Sequence, residues 1–165
     1  MTEYRHMRIN IAPNDLEHKG YFEAARRHRL VVKKCTGCGL LRWEPGPGCP
    51  FCSSLSWEWQ EVSGKGTIYS YQIVAHAIQT GFRDWVPYPL VLVELDEQRE
   101  VPTPDDAIRI VTNLVDEGFR PEKEENVAIG ERVEAVFLDV DESFSLPQFK
   151  LSGEPPQGPV WPHRR

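Results

Sequence analysis

The sequence predicts a mainly β protein, in which an N-terminal helix and a four-cysteine ribbon precede a barrel of about five strands. Three observations support this fold class: a helical period near the start, two C-x-x-C pairs, and several short period-two segments after the second pair. The 165 residues suffice for a small module and one compact domain. We expect an extension and helix over residues 1–29, the ribbon over 30–62, the barrel over 63–151 and a Pro-rich tail over 152–165.

The composition is that of an ordinary globular protein, with 40% hydrophobic and 27% charged residues. No apolar run reaches the roughly 18 residues that cross a bilayer, and the first residues lack the apolar stretch of a secretory signal. We therefore expect a cytoplasmic protein without membrane association. In that compartment paired C-x-x-C motifs indicate a metal site more often than disulfides.

Charge is distributed unevenly along the chain. Residues 1–44 carry nine Lys and Arg against five Asp and Glu, whereas residues 45–165 carry ten against twenty. Phosphate contacts dominate nucleic-acid affinity, so the acidic larger part disfavours a nucleic-acid partner. The basic N-terminal part is compatible with an anionic ligand or with a solvated helix.

A modestly amphipathic helix is predicted from Leu16 to about His28. Asn14 and Glu17 have the spacing of a capping box at its start. The apolar side recurs every three or four residues and consists of Tyr21, Ala24, Ala25 and His28.

All four cysteines lie in two C-x-x-C pairs, with ten residues between Cys38 and Cys49; the set is Cys35, Cys38, Cys49 and Cys52. Four thiolates close a tetrahedron around one metal ion, usually Zn²⁺, and leave no position for a catalytic water. Strands at residues 30–34 and 40–43, with Gly39 placed for a left-handed turn, complete a zinc ribbon. The knuckles are also similar to those of rubredoxins, so an electron carrier with iron in this rubredoxin-like ribbon is an alternative.

After the ribbon, short alternating segments bounded by turn residues predict the strands of a barrel. A strand at residues 57–62 ends the ribbon, and the barrel strands follow at residues 67–74, 90–95, 108–115, 132–139 and 144–150. Their number and spacing suit a closed or partly closed barrel such as the oligonucleotide/oligosaccharide-binding (OB) fold. Because ribbons and OB folds both bind nucleic acid, and Tyr69 and Tyr71 could stack on bases, a nucleic-acid-binding module is a second alternative.

Ordered motifs connect these elements to a known family. They are Tyr21-Phe22-Glu23, Cys35-x-x-Cys38-Gly39, Cys49-Pro50-x-Cys52, Gly64-x-Gly66-Thr67-Ile68-Tyr69-Ser70-Tyr71 and Leu146-Pro147-x-Phe149. On these motifs the chain resembles the zinc-ribbon/OB-fold proteins associated with acyl-CoA enzymes. The resemblance implies a non-catalytic accessory subunit with one structural zinc. It also implies a hetero-oligomer with a thiolase, a thiolase-like acyltransferase, an aldolase or a MaoC-type hydratase. Of these we expect a thiolase-type partner. The resemblance further implies that a coenzyme A thioester is a ligand of the complex.

No residue is predicted to be catalytic. His76 has no neighbouring pattern of a catalytic triad or paired carboxylates, so we interpret it as a strand-end histidine. Candidate contacts to the phosphates of coenzyme A are Lys33, Lys34, Arg42, Lys65 and Arg83. An aromatic loop is the candidate partner interface and contains Phe82, Arg83, Trp85 and Tyr88.

Overall fold

The structure, a computed structural model, describes residues 2–9 and 15–162. The single α-helix in these ranges is α1 (Lys19–Ala25), and three 3₁₀ turns of three residues each lie in the loops. The strands are β1 (Thr2–Tyr4), β2 (Met7–Ile9), β3 (Val31–Cys35), β4 (Leu41–Arg42), β5 (Trp57–Glu61), β6 (Lys65–Val74), β7 (Tyr88–Leu95), β8 (Arg109–Asn113), β9 (Ala128–Ile129), β10 (Arg132–Asp141), β11 (Phe144–Leu151) and β12 (Trp161–Pro162). The predicted fold class, mainly β with an N-terminal helix, a ribbon and an OB-type sheet, is confirmed.

Helix α1 is shorter than the predicted span. The carboxylate of Asp15 accepts hydrogen bonds from the backbone N–H groups of Glu17 and His18, so the chain turns before the helix begins. At the other end, His28 has a positive φ of 53°, which ends the helical conformation. The predicted cap Asn14 lies outside the described residues. With seven residues α1 is too short to span a membrane, and no other helix is described in residues 2–9 and 15–162 that could do so.

The ribbon is a three-stranded antiparallel sheet in the order β4-β3-β5. Its central strand pairs Lys33 with Arg42 on one side and with Trp59 on the other. Helix α1 packs against this sheet so closely that a Cβ on Gly20 would lie 2.1 Å from Nε1 of Trp59. A glycine is therefore required where the helix crosses the tryptophan.

The second sheet has five antiparallel strands in the order β11-β10-β6-β7-β8. Its end strands meet at a parallel bridge between Leu114 and Phe149, where the Val115 N–H donates to the Phe149 carbonyl at 2.8 Å. Strand β7 alternates half-buried and buried positions along its whole length, because successive side chains of a strand point to opposite faces of the sheet. The sheet thus has the topology of a small partly closed barrel.

One hydrophobic core joins the ribbon to the barrel. Residues from α1, from β3 and from the inward face of the barrel belong to the same buried cluster, which includes Tyr21, Ala24, Val31, Val32, Ile68, Val91, Val93, Leu114, Val133 and Phe149. Because the ribbon strands contribute to the barrel's core, the two parts pack as one body.

Two terminal segments have structure that the sequence pattern does not predict. The first is an N-terminal hairpin of β1 and β2 that turns at Arg5 and His6, both at positive φ. The second is the short strand β12 in the Pro-rich tail, which pairs Trp161 with Ile129 of β9. Residues 152–160 of the tail form no helix or strand.

Candidate metal centre and the surfaces around it

Two matching turns bring the four cysteines together. The Gly39 N–H donates to the carbonyl of Cys35 at 2.8 Å, and the Ser53 N–H donates to that of Cys49 at 2.9 Å. Gly39 has the predicted positive φ, 81°. The Sγ atoms of the four cysteines all lie within 4.8 Å of one another, and the Cys35–Cys52 and Cys38–Cys49 pairs are each 3.6 Å apart. A tetrahedral Zn²⁺ with 2.3 Å bonds needs sulfur atoms about 3.8 Å apart, so the four positions fit a zinc ion.

The thiols interact strongly enough to shift one another's pKa. For Cys35, burial raises the pKa, but hydrogen bonds from the N–H groups of Cys38 and Gly37 outweigh it and bring the value to about 6. For Cys38, the hydrogen bond from the Leu40 N–H lowers the pKa, while burial and the neighbouring thiols raise it to about 12. A bound divalent cation would stabilise four thiolates held this close together.

Two buried cations, Lys33 and Arg42, lie on one face of the ribbon sheet beside the metal centre. We call this face the inner side of the centre. The two are paired across β3 and β4, and Cys35 lies two residues along β3 on the same face. The Lys33 ammonium donates to the carboxylate of Glu17 and lies 3.8 Å from the Trp57 ring. Arg42 donates to the carbonyl of Gly48, but its Nε and Nη2 have no partner in the described part of the chain.

This burial corrects two of the sequence predictions. Lys33 and Arg42 were expected to contact phosphates of coenzyme A, yet they are only 0% and 7% exposed. Their side chains stay inside because the turn before the helix supplies Glu17 and the turn at residues 44–48 supplies backbone carbonyls as partners. The other three candidates are accessible: Lys34 pairs with Glu58 at 3.4 Å, Lys65 pairs with Glu154, and Arg83 is exposed.

The opposite side of the centre faces solvent. Cys38 and Cys52 are exposed, whereas Cys35 and Cys49 are buried. A groove of about 190 Å³ begins at Cys38 and is lined by Phe51 and Val101. Phe51, Val101 and Leu55, which lies three residues after Cys52, are 62%, 63% and 74% exposed. We call Cys38, Phe51, Cys52, Leu55 and Val101 the outer face of the centre. Sequence periodicity does not predict this surface. The lack of charged residues around the cysteines is the signal in the sequence that could have indicated it.

The predicted interface loop contacts the protein's own N-terminal hairpin. Arg5 donates from Nε to the Gly81 carbonyl at 2.6 Å, and its guanidinium lies 4.5 Å from the Trp85 ring centre. Trp85 is consequently buried, so this part of the prediction is corrected. Phe82 and Tyr88 are half-buried and Arg83 is exposed, and their role at an interface stays a prediction.

The outward face of the barrel does not have the charge expected for nucleic acid. Cross-strand rows of this face consist of Ser70, Leu92 and Val111, and of Gln72, Leu90 and Asn113. The Arg109 side chain at the end of the face donates to Glu94 at 2.9 Å and covers the Tyr69 ring at 4.0 Å. His76 is exposed in the loop after β6. A charge-balanced surface lacks the excess of cations that a phosphate backbone requires.

Comparisons with known proteins agree with this architecture. Residues 22–58 match the family profile "ChsH2, rubredoxin-like zinc ribbon domain", and residues 59–138 match "ChsH2, C-terminal OB-fold domain". A solved structure named "Ltp2-ChsH2(DUF35) aldolase" superposes with a TM-score of 0.69 and 34% identity, covering 86% of this chain and 99% of that one. A Sulfolobus solfataricus protein of the DUF35 family, 15% identical with a TM-score of 0.51, shares the fold.

Sequence relatives carry related names. A Methanocaldococcus jannaschii "DUF35 domain-containing scaffold protein" is 33% identical over 118 residues, 70% of this chain and 72% of that protein. A Thermomonospora curvata "Probable enoyl-CoA hydratase alpha subunit" is 40% identical over 130 residues, 79% of this chain. The match spans only 36% of that longer protein. The chain therefore belongs to the ChsH2-type zinc-ribbon and OB-fold family, the DUF35 family.

Proposed function

We propose that the chain is a non-catalytic accessory subunit that assembles with an acyl-CoA-processing enzyme and helps to complete that enzyme's acyl-CoA site. The observation that carries the proposal is the similarity to the aldolase component over nearly the whole of that chain. The names of the two sequence relatives, one a scaffold protein and one a hydratase subunit, support the same class of role.

The metal centre supports a structural role. Four cysteine ligands fill the coordination sphere of a zinc ion, so the ion has no free position at which to activate water or polarise a carbonyl. When bound, the ion would fix the two knuckles relative to each other. The chain's contribution to catalysis would then consist of binding and shaping, and the partner would supply the reacting groups.

We further propose that the partner is of the thiolase type, forming or cleaving a carbon–carbon bond in an acyl-CoA. Of the predicted phosphate contacts, Lys34, Lys65 and Arg83 remain accessible to the anionic end of coenzyme A. We also propose that zinc is the resident metal and that the chain contacts coenzyme A directly.

Affinity purification of the chain from its native cell, followed by mass spectrometry and acyl-CoA thiolysis, aldol cleavage and hydration assays, tests the proposal. We expect a stoichiometric acyl-CoA enzyme and no turnover by the chain alone. Turnover by the isolated chain, or recovery with nucleic acid instead of an acyl-CoA enzyme, would refute it.

A further inference from the structure

No Lys, Arg or His side chain of the described residues forms a hydrogen bond with the sulfur of any of the four cysteines. Four thiolates around a divalent ion carry a net charge of −2, since each thiolate contributes one negative charge. On the inner side, the buried cation Lys33 lies two residues before Cys35 on β3, with Arg42 opposite it on β4, and its ammonium is already paired with Glu17. On the outer face, Cys38 and Cys52 are the exposed cysteines.

The sequence around these two cysteines is apolar and uncharged. Residues 35–41 and 45–57 contain no Asp, Glu, Lys, Arg or His, in a chain of which 27% of the residues are charged. Phe51, Leu55 and Val101 expose most of their side-chain surface on the outer face. Depletion of charge together with exposed aromatic and aliphatic side chains is typical of the centre of a protein–protein interface.

We propose that the outer face of the metal centre is the surface that binds the partner subunit. The partner covers Phe51, Leu55 and Val101 with apolar side chains and directs a guanidinium or ammonium group at the sulfur atoms of Cys38 and Cys52. The cation follows from the charge, because an anionic cluster buried in an interface needs an opposite charge or hydrogen-bond donors. This inference rests on the proposed function in that the partner is an acyl-CoA enzyme.

The apolar contact proposed for the outer face is tested by measuring how tightly two matched double variants bind the purified partner. Phe51→Ser with Leu55→Ser removes apolar surface from the outer face. Ile78→Ser with Val111→Ser removes it from the barrel, where the two residues are 90% and 63% exposed. We expect the first pair to weaken binding by roughly 100-fold and the second by less than about threefold. Zinc content and melting temperature, measured on both, show that each variant is folded.

The charge part is tested at Thr36, an exposed residue next to the first cysteine of the first knuckle. Thr36→Lys places a positive charge beside the cluster and repels the partner's cation, so binding weakens by about tenfold. Thr36→Glu adds to the negative charge and weakens binding less, or strengthens it. A purely apolar contact would be harmed equally by either charge, and a greater loss with Glu would overturn the proposed cation.

The outcomes separate this surface from the proposed function. If an acyl-CoA enzyme binds the Phe51→Ser/Leu55→Ser variant as tightly as the wild type, or if both double variants lose affinity equally, the docking surface is refuted and the accessory role stands. If the partner proves to be of another class but depends on the outer face, the docking surface stands and the proposed function fails. Hydrogen–deuterium exchange of the complex gives an independent readout, with protection expected over residues 49–55 and not over 109–113.

Discussion

The side-chain amide of Gln98 pairs with both backbone groups of Leu41. The Leu41 N–H donates to Oε1 of Gln98 at 2.6 Å, and Nε2 of Gln98 donates to the Leu41 carbonyl at 2.6 Å and to that of Asp106 at 2.8 Å. The amide thus takes the place of a neighbouring strand residue along the edge of β4. It links the ribbon to the loops at the end of the barrel.

Replacing Gln98 should loosen this link to a degree that depends on the new side chain. Gln98→Ala leaves the Leu41 groups without their partner and should cost about 1–3 kcal/mol of unfolding free energy. Gln98→Glu should cost more, because it turns a carboxylate toward two carbonyl oxygens. Denaturant unfolding measures both, and Gln72→Ala, at an exposed position, is the control. Equal stability of the Ala and Glu variants would contradict the pairing.

The buried pair of Lys33 and Glu17 predicts an asymmetry between two substitutions. Glu17→Gln leaves a fully buried ammonium without its carboxylate and should cost about 2 kcal/mol or more. Lys33→Met removes the charge itself and keeps the apolar contact with Trp57, so it should cost less. Thermal unfolding measures the two, with Lys19→Met from the exposed Lys19–Glu23 pair as control. The reverse order would contradict the account.

A third prediction concerns pH and the ion pair between Arg132 and Asp96. Arg132 is buried and donates from Nη1 and Nη2 to the two carboxylate oxygens of Asp96 at 2.7 and 2.6 Å. These hydrogen bonds hold the pKa of Asp96 below its ordinary value of 3.8. A depressed folded-state pKa stabilises the fold above the ordinary value, and this contribution is lost as the pH falls through the folded-state pKa.

The melting temperature of the wild type should therefore decline as the pH falls below about 4, through protonation of Asp96 among other groups. Asp96→Asn should be less stable at pH 7 by about 3 kcal/mol, since it leaves Arg132 buried without its main anion. The gap between variant and wild type should narrow as the pH is lowered. A constant gap from pH 7 to 2.5 would show that the charge of Asp96 contributes nothing.

Replacing Arg42 should weaken zinc binding but should not destabilise the metal-free protein. With zinc bound, Arg42→Met removes a cation from beside the anionic cluster, so zinc affinity should fall by about 10- to 100-fold. Without metal the same change removes a buried guanidinium with two unpartnered nitrogens and should stabilise the protein or leave it unchanged. Competition with a chelator and unfolding with and without zinc measure the two effects. Destabilisation of the metal-free form would contradict this role.

A colourless protein with one zinc per chain would exclude the iron-carrier alternative.

The sequence predicts features that depend on local spacing. The knuckles follow from two C-x-x-C pairs, the first of them followed by Gly39, and β7 follows from a short apolar run at residues 90–95. In both cases the chemical requirement is met by residues close in the chain, so a single pattern is enough.

The features that sequence reasoning missed depend on contacts between distant segments. Arg5 reaches Gly81 and Trp85, and Gln98 reaches Leu41, across 57 to 80 residues. Lys33 looks like a solvent-exposed residue of a strand, and only the approach of Glu17 and Trp57 makes its burial tolerable. No periodic pattern encodes these pairings, since each satisfies a buried polar group with a partner chosen by the tertiary fold.

Activity of the purified partner enzyme, measured with and without this chain, tests the central claim most directly. The account predicts that the partner alone turns over its acyl-CoA poorly, and that activity rises with added chain until the two are equimolar. The chain alone should show no activity at any concentration. A partner that is fully active alone and unaffected by equimolar chain would contradict the claim that this protein helps to complete an acyl-CoA site.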